Sequence, residues 1–460
     1  MSIDRRTFLK GAGVGAGAGI IATVGVGAAV HAANAAPEAS DSANLPAVPF
    51  YGLHQPGVLE APQASGVFAV FNVTAKTTAE LVDAFKKITT LSADMAAGEK
   101  LPTIQPKLPP VDNNVLGPEP VADGITMTWG VGESLFDGRF GLAGKKPAGL
   151  TTMPVFPNDN LEPGWTNGDV YLQVCAGQPD AAIRALRIIM RQCRGQLQLK
   201  YRIDGFMSQP RPDGAPRNLM GFKDGTANPD VANDPELANQ LIWTGDETGQ
   251  TWTAGGTFAV FRRIRMFVEF WDRVGIPEQE GLFGRQRDSG APLTGTTEAD
   301  LPEYGNDEGG VVTPLDSHIR LANPQTPEAI ATRILRRGYN YDQGIDSNGN
   351  LDMGLIFVCF NRSTQKQFET IQNRLSEEGL VDYIQPTGGG YFFILPGVKD
   401  DLKNVQAAFG LRFKKVYAEQ AAVQKSALLV LGQPGLVLFA THGQNVADAP
   451  LRSNLRLRPD

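Results

Sequence analysis

The chain has 460 residues, with 42 lysines and arginines against 49 aspartates and glutamates, a net charge of −7. Its 42% hydrophobic and 20% charged content is that of a globular chain of two or three domain-sized units. The acidic balance excludes a nucleic-acid binder built on a broad cationic surface. Three cysteines, Cys175, Cys193 and Cys359, exclude a disulfide framework, and four histidines in separate segments exclude multi-histidine metal chemistry.

Residues 4–10 read Asp4-Arg5-Arg6-Thr7-Phe8-Leu9-Lys10, followed by a Gly/Ala-rich apolar stretch from Gly11 to Val30 and by Ala33-Asn34-Ala35. A charged start, an apolar middle and a small-residue cleavage site make residues 1–36 a signal peptide. The paired arginines before Phe-Leu-Lys resemble the twin-arginine export signal, which places the mature chain in the periplasm or outside the cell. Seven glycines between Gly11 and Gly27 suit a lipid span poorly, so no stable membrane span is expected after processing. Residues 37–64, rich in Pro, Ala and Ser, are expected to form an exposed arm.

The body of the chain carries a repeat. Phe68-Ala69-Val70-Phe71 recurs as Phe258-Ala259-Val260-Phe261, and Leu172-Gln173-Val174-Cys175 is echoed by Ile356-Phe357-Val358-Cys359, at offsets of 190 and 184 residues. The first half, residues 65–215, reads as strand 66–74, helix 77–98 opened by a Thr77/Glu80 capping box, strands 123–132 and 169–176, helix 179–194 and strand 196–205. The second, residues 216–400, reads as strand 256–265, strand 354–361, helix 364–378 and strand 389–395, with a long irregular insertion between Pro277 and Met353. That order predicts an α+β fold of two ferredoxin-like halves with antiparallel sheets. Residues 401–460 fall outside the repeat; 404–424 suits a helix and 428–440 a hairpin.

Three segments carry residues suited to chemistry. The insertion holds Asp316-Ser317-His318-Ile319-Arg320, whose histidine is either a solvated loop residue or an axial ligand with an arginine nearby. Gly221 to Pro229 reads GFKDGTANP; its Asp-Gly and Asn-Pro pairs are turn chemistry, with Asp224 capping its own loop. Ile334 to Tyr341 reads ILRRGYNY, where paired arginines by default mark a solvated face.

Taken together these segments resemble the signature blocks of the dye-decolourising (DyP-type) haem peroxidases. Further matching blocks are YGLHQPG (51–57), SLFDGRFGL (134–142), FPNDNL (156–161), GDVYLQVCA (168–176), GLFGRQRDSGAPL (281–293), GLIFVCF (354–360) and GGGYFFILPG (388–397). The resemblance spans residues 48–397 and, with the export signal and RRGYNY, favours the exported, deferrochelatase-like subgroup. It implies one haem b per chain, bound in the C-terminal half. His318 would be the proximal iron ligand, Asp224 the distal carboxylate and Arg336 the distal arginine. Leu355 and Phe357 would line the distal face, Arg320 would pair with a propionate, and Asp382 would hydrogen-bond the far nitrogen of His318.

The activity so implied is reduction of hydrogen peroxide and oxidation of organic donors such as dyes and phenolics. Asp224 would move a proton between the peroxide oxygens and Arg336 would stabilise charge on the departing one. An aspartate ordinarily titrates near 3.9 against about 6.5 for histidine, so the expected optimum is roughly pH 4–5.5. The same resemblance carries a rival, release of iron from haem in connection with an iron-uptake system. A haem-free binding module is the alternative from another class. The family tendency is towards homo-oligomers, and tryptophans 129, 165, 243, 252 and 271 are either core or an electron relay.

Overall fold

The computed structural model describes residues 45–101 and 109–399. The signal peptide and the 401–460 extension, with its expected helix and hairpin, lie outside those residues.

The strands are β1 (Ser65–Val73), β2 (Thr126–Gly132), β3 (Val170–Ala176), β4 (Leu197–Phe206), β5 (Thr257–Met266), β6 (Leu335–Arg336), β7 (Tyr339–Ile345), β8 (Leu351–Asn361) and β9 (Ile384–Ile394). The first four lie in the order β2-β3-β1-β4, every pair antiparallel. In the second half β5 lies between β9 and β8, while β6 and β7 share the other edge of β8. Each half therefore has its fourth, first, third and second strands side by side, the order of a ferredoxin-like unit.

The two sheets are not separate layers. β2 pairs with β9 through Gly130–Ile394, Val131–Phe393 and Gly132–Phe392, and β4 meets β7 at Phe206–Asn340. The sheets thus join edge to edge at both ends into a closed ring of eight strands, which leaves few open edges. Alternate side chains, Phe68, Tyr171, Tyr201, Phe261, Tyr339 and Phe392 among them, fill the inside of the ring.

The first half's outer face is covered by helices α1 (Thr78–Ala96) and α2 (Pro179–Gln192). Leu81, Phe85, Ile88 and Met95 of α1 recur at helical spacing and are buried. Its start is fixed from the sequence side: Thr77 Oγ1 accepts from the Glu80 N–H, and the Glu80 carboxylate accepts from the Lys76 N–H. In the second half the expected helix 364–378 is broken into a π turn (Thr364–Glu369), an α turn (Thr370–Arg374) and a 3-10 turn (Leu375–Glu377). The insertion is less irregular than expected, since it holds helices Ile276–Phe283, His318–Ala322 and Pro327–Ala331 besides β6 and β7.

Both echoes land on matching strands, β1 with β5 and β3 with β8, but out of phase. Phe68 points into the ring while Phe258 packs under the helices; Leu172 faces the helices while Ile356 points in. A one-residue slip exchanges every face of a strand, so the letters mark equivalent strands and not equivalent positions.

Residues 54–60 correct the expectation of an exposed arm, whereas 45–47 and 49 are exposed as expected. Gln55 is buried, donating to the carbonyls of Trp129 and Leu395 while its own carbonyl accepts from the Trp129 N–H. Four tryptophans, 129, 243, 252 and 271, are core, and Trp165 is half-buried.

His54 anchors the same segment. Its ring stacks on Trp243 at 3.7 Å between centroids, and Nδ1 donates to Gly255 O at 2.7 Å. Burial holds its pKa below the ordinary 6.5, against the upward pull of the carbonyl. The unfolded chain therefore takes up this proton first, and the stability from neutral His54 is complete above about pH 6.5 and lost as pH falls towards the folded value. Wild type should lose more melting temperature between pH 7.5 and 5.5 than His54→Gln; equal losses would show that His54 is not the responsible group.

Candidate active site

His318 opens a helix of five residues, His318–Ala322, too short to hold itself. It is secured at both ends. Arg374 Nε and Nη2 donate to the carbonyls of Leu321 and Ala322, both at 2.8 Å, satisfying groups the helix leaves open. At the other end Gly284, at φ +82°, ends helix Ile276–Phe283 so closely that a Cβ would sit 2.7 Å from Ile319 and 3.0 Å from Ser317 Oγ.

The imidazole is oriented by a carboxylate. His318 Nδ1 donates to Glu378 Oε2 at 2.5 Å, and the Glu378 side chain is 5% exposed against 21% for His318. With the proton on Nδ1, a neutral ring carries its lone pair on Nε2, which has no hydrogen-bond partner among the described residues. Asp382, expected in this role, is exposed instead. The carboxylate is Glu378, turned inward at the junction of two 3-10 turns.

Arg320, expected at a propionate, is bonded to its own loop. Its guanidinium donates to Asp307 Oδ2, Asp307 O and Thr313 O, and it stacks over Tyr304 at 4.8 Å. Asp307 is the hub of that loop: the N–H groups of Thr313, Val312 and Val311 hold its carboxyl below the usual carboxylate range. Arg320 thus ties down the insertion that carries His318.

Asp224 and Arg336 are brought together. Arg336 Nη2 donates to Asp224 Oδ1, with the side chains 30% and 21% exposed. The paired arginines, expected on a solvated face, split across the ring wall. Arg336 stands outside it beside Asp224, while Arg337 is buried and donates to Glu60 O and Gln63 Oε1.

The outward face of β8 joins the two sets of residues. Arg336 lies opposite Cys359 in the ladder, so it shares a face with Phe357 and Leu355. Along that face Met353, Leu355 and Phe357 remain partly exposed, while Gly354, Ile356 and Val358 between them are buried. Leu355 packs in a cluster with Phe222 and Phe283. Phe222, two residues before Asp224, stacks on Phe283 at 3.9 Å, and Phe283 lies 6.1 Å from the His318 ring. One apolar cluster therefore connects an imidazole with an unpartnered Nε2 to a carboxylate–guanidinium pair. A flat apolar group with one axial nitrogen ligand fits that donor set.

Glu378 and Asn228 escaped the sequence reading. Asn228 sits in the GFKDGTANP loop, and its side chain takes both main-chain polar groups of Arg336.

Residues 55–207 match the family described as "Dyp-type peroxidase, N-terminal", and residues 215–399 match "Dyp-type peroxidase, C-terminal". A protein named deferrochelatase from Escherichia coli (strain UTI89 / UPEC) is 45% identical over 403 residues, which cover 86% of this chain and 94% of that one. Another of that name from Yersinia pestis is 42% identical over 405 residues, 87% and 93% of the two chains. Among solved structures, a DyP-type peroxidase from Cellulomonas bogoriensis is similar with a TM-score of 0.68 at 32% identity, over 77% of this chain and 96% of that one. One from Streptomyces coelicolor has a TM-score of 0.71 at 29% identity, over 79% and 97%.

Proposed function

The chain belongs to the Dyp-type peroxidase family, and on that premise we propose that it binds one haem b in its C-terminal half, with His318 as the axial ligand and Asp224 and Arg336 as the groups that act on hydrogen peroxide. Membership makes it a haem-dependent peroxidase and removes the haem-free binding module. The observation that carries the site assignment is the His318–Glu378 hydrogen bond, which leaves Nε2 as the unpartnered nitrogen.

Bound haem supplies an iron that accepts oxygen from peroxide and then draws electrons from an organic donor such as a dye or phenol. The remaining steps belong to the chain. Glu378 holds the imidazole by its Nδ1 proton and strengthens Nε2 as a donor. Asp224 Oδ1 is engaged by Arg336, and Oδ2 is left to take the proton from one peroxide oxygen and deliver it to the other. Arg336 holds positive charge where negative charge grows on the departing oxygen, so that it leaves as water. Leu355 and Phe357 keep that side apolar, which strengthens both effects.

A second reading has its own support, since relatives at 42–46% identity bear the name deferrochelatase. It keeps His318 and Glu378 and makes iron release from haem the outcome, in service of an iron-uptake system. Peroxide turnover that depends on Arg336 and Asp224 favours the first reading; free porphyrin and iron without peroxide favour the second. The proposal extends to export by the twin-arginine route to the periplasm or beyond, on the strength of Arg5-Arg6. Cell fractionation tests it: Arg5→Lys with Arg6→Lys should leave the protein in the cytoplasm, and export of that variant would refute the route.

A further inference from the structure

The two-residue strand β6 presents Arg336 with its side chain towards the site and its main chain along an edge. Its neighbours bond to β8, where the Arg337 N–H donates to Val358 O at 2.8 Å. By the alternation of a strand, the N–H and C=O of Arg336 point the other way, at an edge with no strand beyond it among the described residues. Asn228 closes that edge. Its Oδ1 accepts from the Arg336 N–H at 2.9 Å and its Nδ2 donates to the Arg336 carbonyl at 2.7 Å, so one side-chain amide does what a neighbouring strand would do. The same loop holds the other end of the residue, because Asp224, four residues earlier, takes the guanidinium. The loop is itself closed by the Asn228 N–H on Gly225 O at 3.1 Å, with Gly225 at φ +88°.

We propose that Asn228 is a positioning residue for peroxide activation: it fixes the main chain of Arg336 so that the guanidinium is held in register with Asp224. This rests on the reading of Asp224 and Arg336 as the groups that act on peroxide. Of the side chains of this size, only an amide carries one donor and one acceptor at the required spacing. A misplacement of about 1 Å at such a group costs on the order of 100-fold in rate.

The test is a double-mutant cycle on haem-loaded, full-length protein, reading the second-order rate constant with hydrogen peroxide by stopped flow. Asn228→Ala should lower it about 10- to 100-fold with haem content unchanged, and should cost almost nothing further in an Arg336→Leu background. Asn228→Asp, isosteric and keeping only the acceptor, carries the same cycle should the alanine variant fail to fold, and should also be slow. An unaltered rate, or the same loss with and without Arg336, overturns the positioning role. Arg336→Leu reacting at the wild-type rate would instead overturn the site reading beneath it.

Discussion

His318→Ala is expected to remove the Soret band from protein produced with a haem supply, with a loss of haem affinity exceeding the roughly 10- to 100-fold typical of an outer-shell change. His54 is not placed to substitute, being stacked on Trp243 and bonded to Gly255. The substitution also leaves Glu378 buried without its partner, a cost that has to be separated from loss of the ligand. Circular dichroism makes the separation, since the ring of strands does not depend on His318. A companion change, Glu378→Gln, should retain haem but weaken Nε2 as a donor. Its iron should reduce at a more positive potential, and its activity should fall about 10- to 100-fold. Haem retained at full affinity in His318→Ala would place the axial ligand elsewhere.

Arg336→Leu and Asp224→Asn should bind haem normally and lose reaction with peroxide. The arginine change removes the positive charge facing the departing oxygen, an effect on the order of 10²–10³ in rate. The aspartate change removes the atom that carries the proton, worth about 10²–10⁴. The two side chains are bonded to each other, so each change also releases the other and the losses should not add. Full turnover in Asp224→Asn would assign the proton transfer to another group.

Much of this architecture is legible in the amino-acid sequence, because strands and helices declare themselves by their apolar residues. The short apolar runs at β1, β3 and β5, buried on both faces, the run at β8, and the spaced apolar residues of α1 and α2 delimit the two halves to within a few residues. Closure of the ring is not legible. It depends on three residue pairs between β2 and β9 and one between β4 and β7, made by main-chain groups that any sequence supplies. β6 and β7 are hidden by Arg336-Arg337, since a strand with one arginine outside and the next inside violates the usual reading of charge.

At the site, the motif blocks single out Asp224, Arg336 and His318, and the structure bonds the first two to each other. Glu378 is missed for a geometric reason. The segment 364–378 reads as one helix, whereas a π turn and a 3-10 turn change its register and rotate Glu378 inward, leaving Asp382 in solvent. The anchoring of Arg320 is not legible, because the sequence near it shows no carboxylate for it except Asp316. Its partner, Asp307, arrives through the loop that folds back over Thr313.

The most direct test is the absorption spectrum of the haem-loaded protein before and after one equivalent of hydrogen peroxide. A Soret band that shifts within the mixing time in wild type, and does not shift in Arg336→Leu, is the predicted result. A Soret band that ignores peroxide in wild type would contradict it and turn the assignment towards iron release from haem.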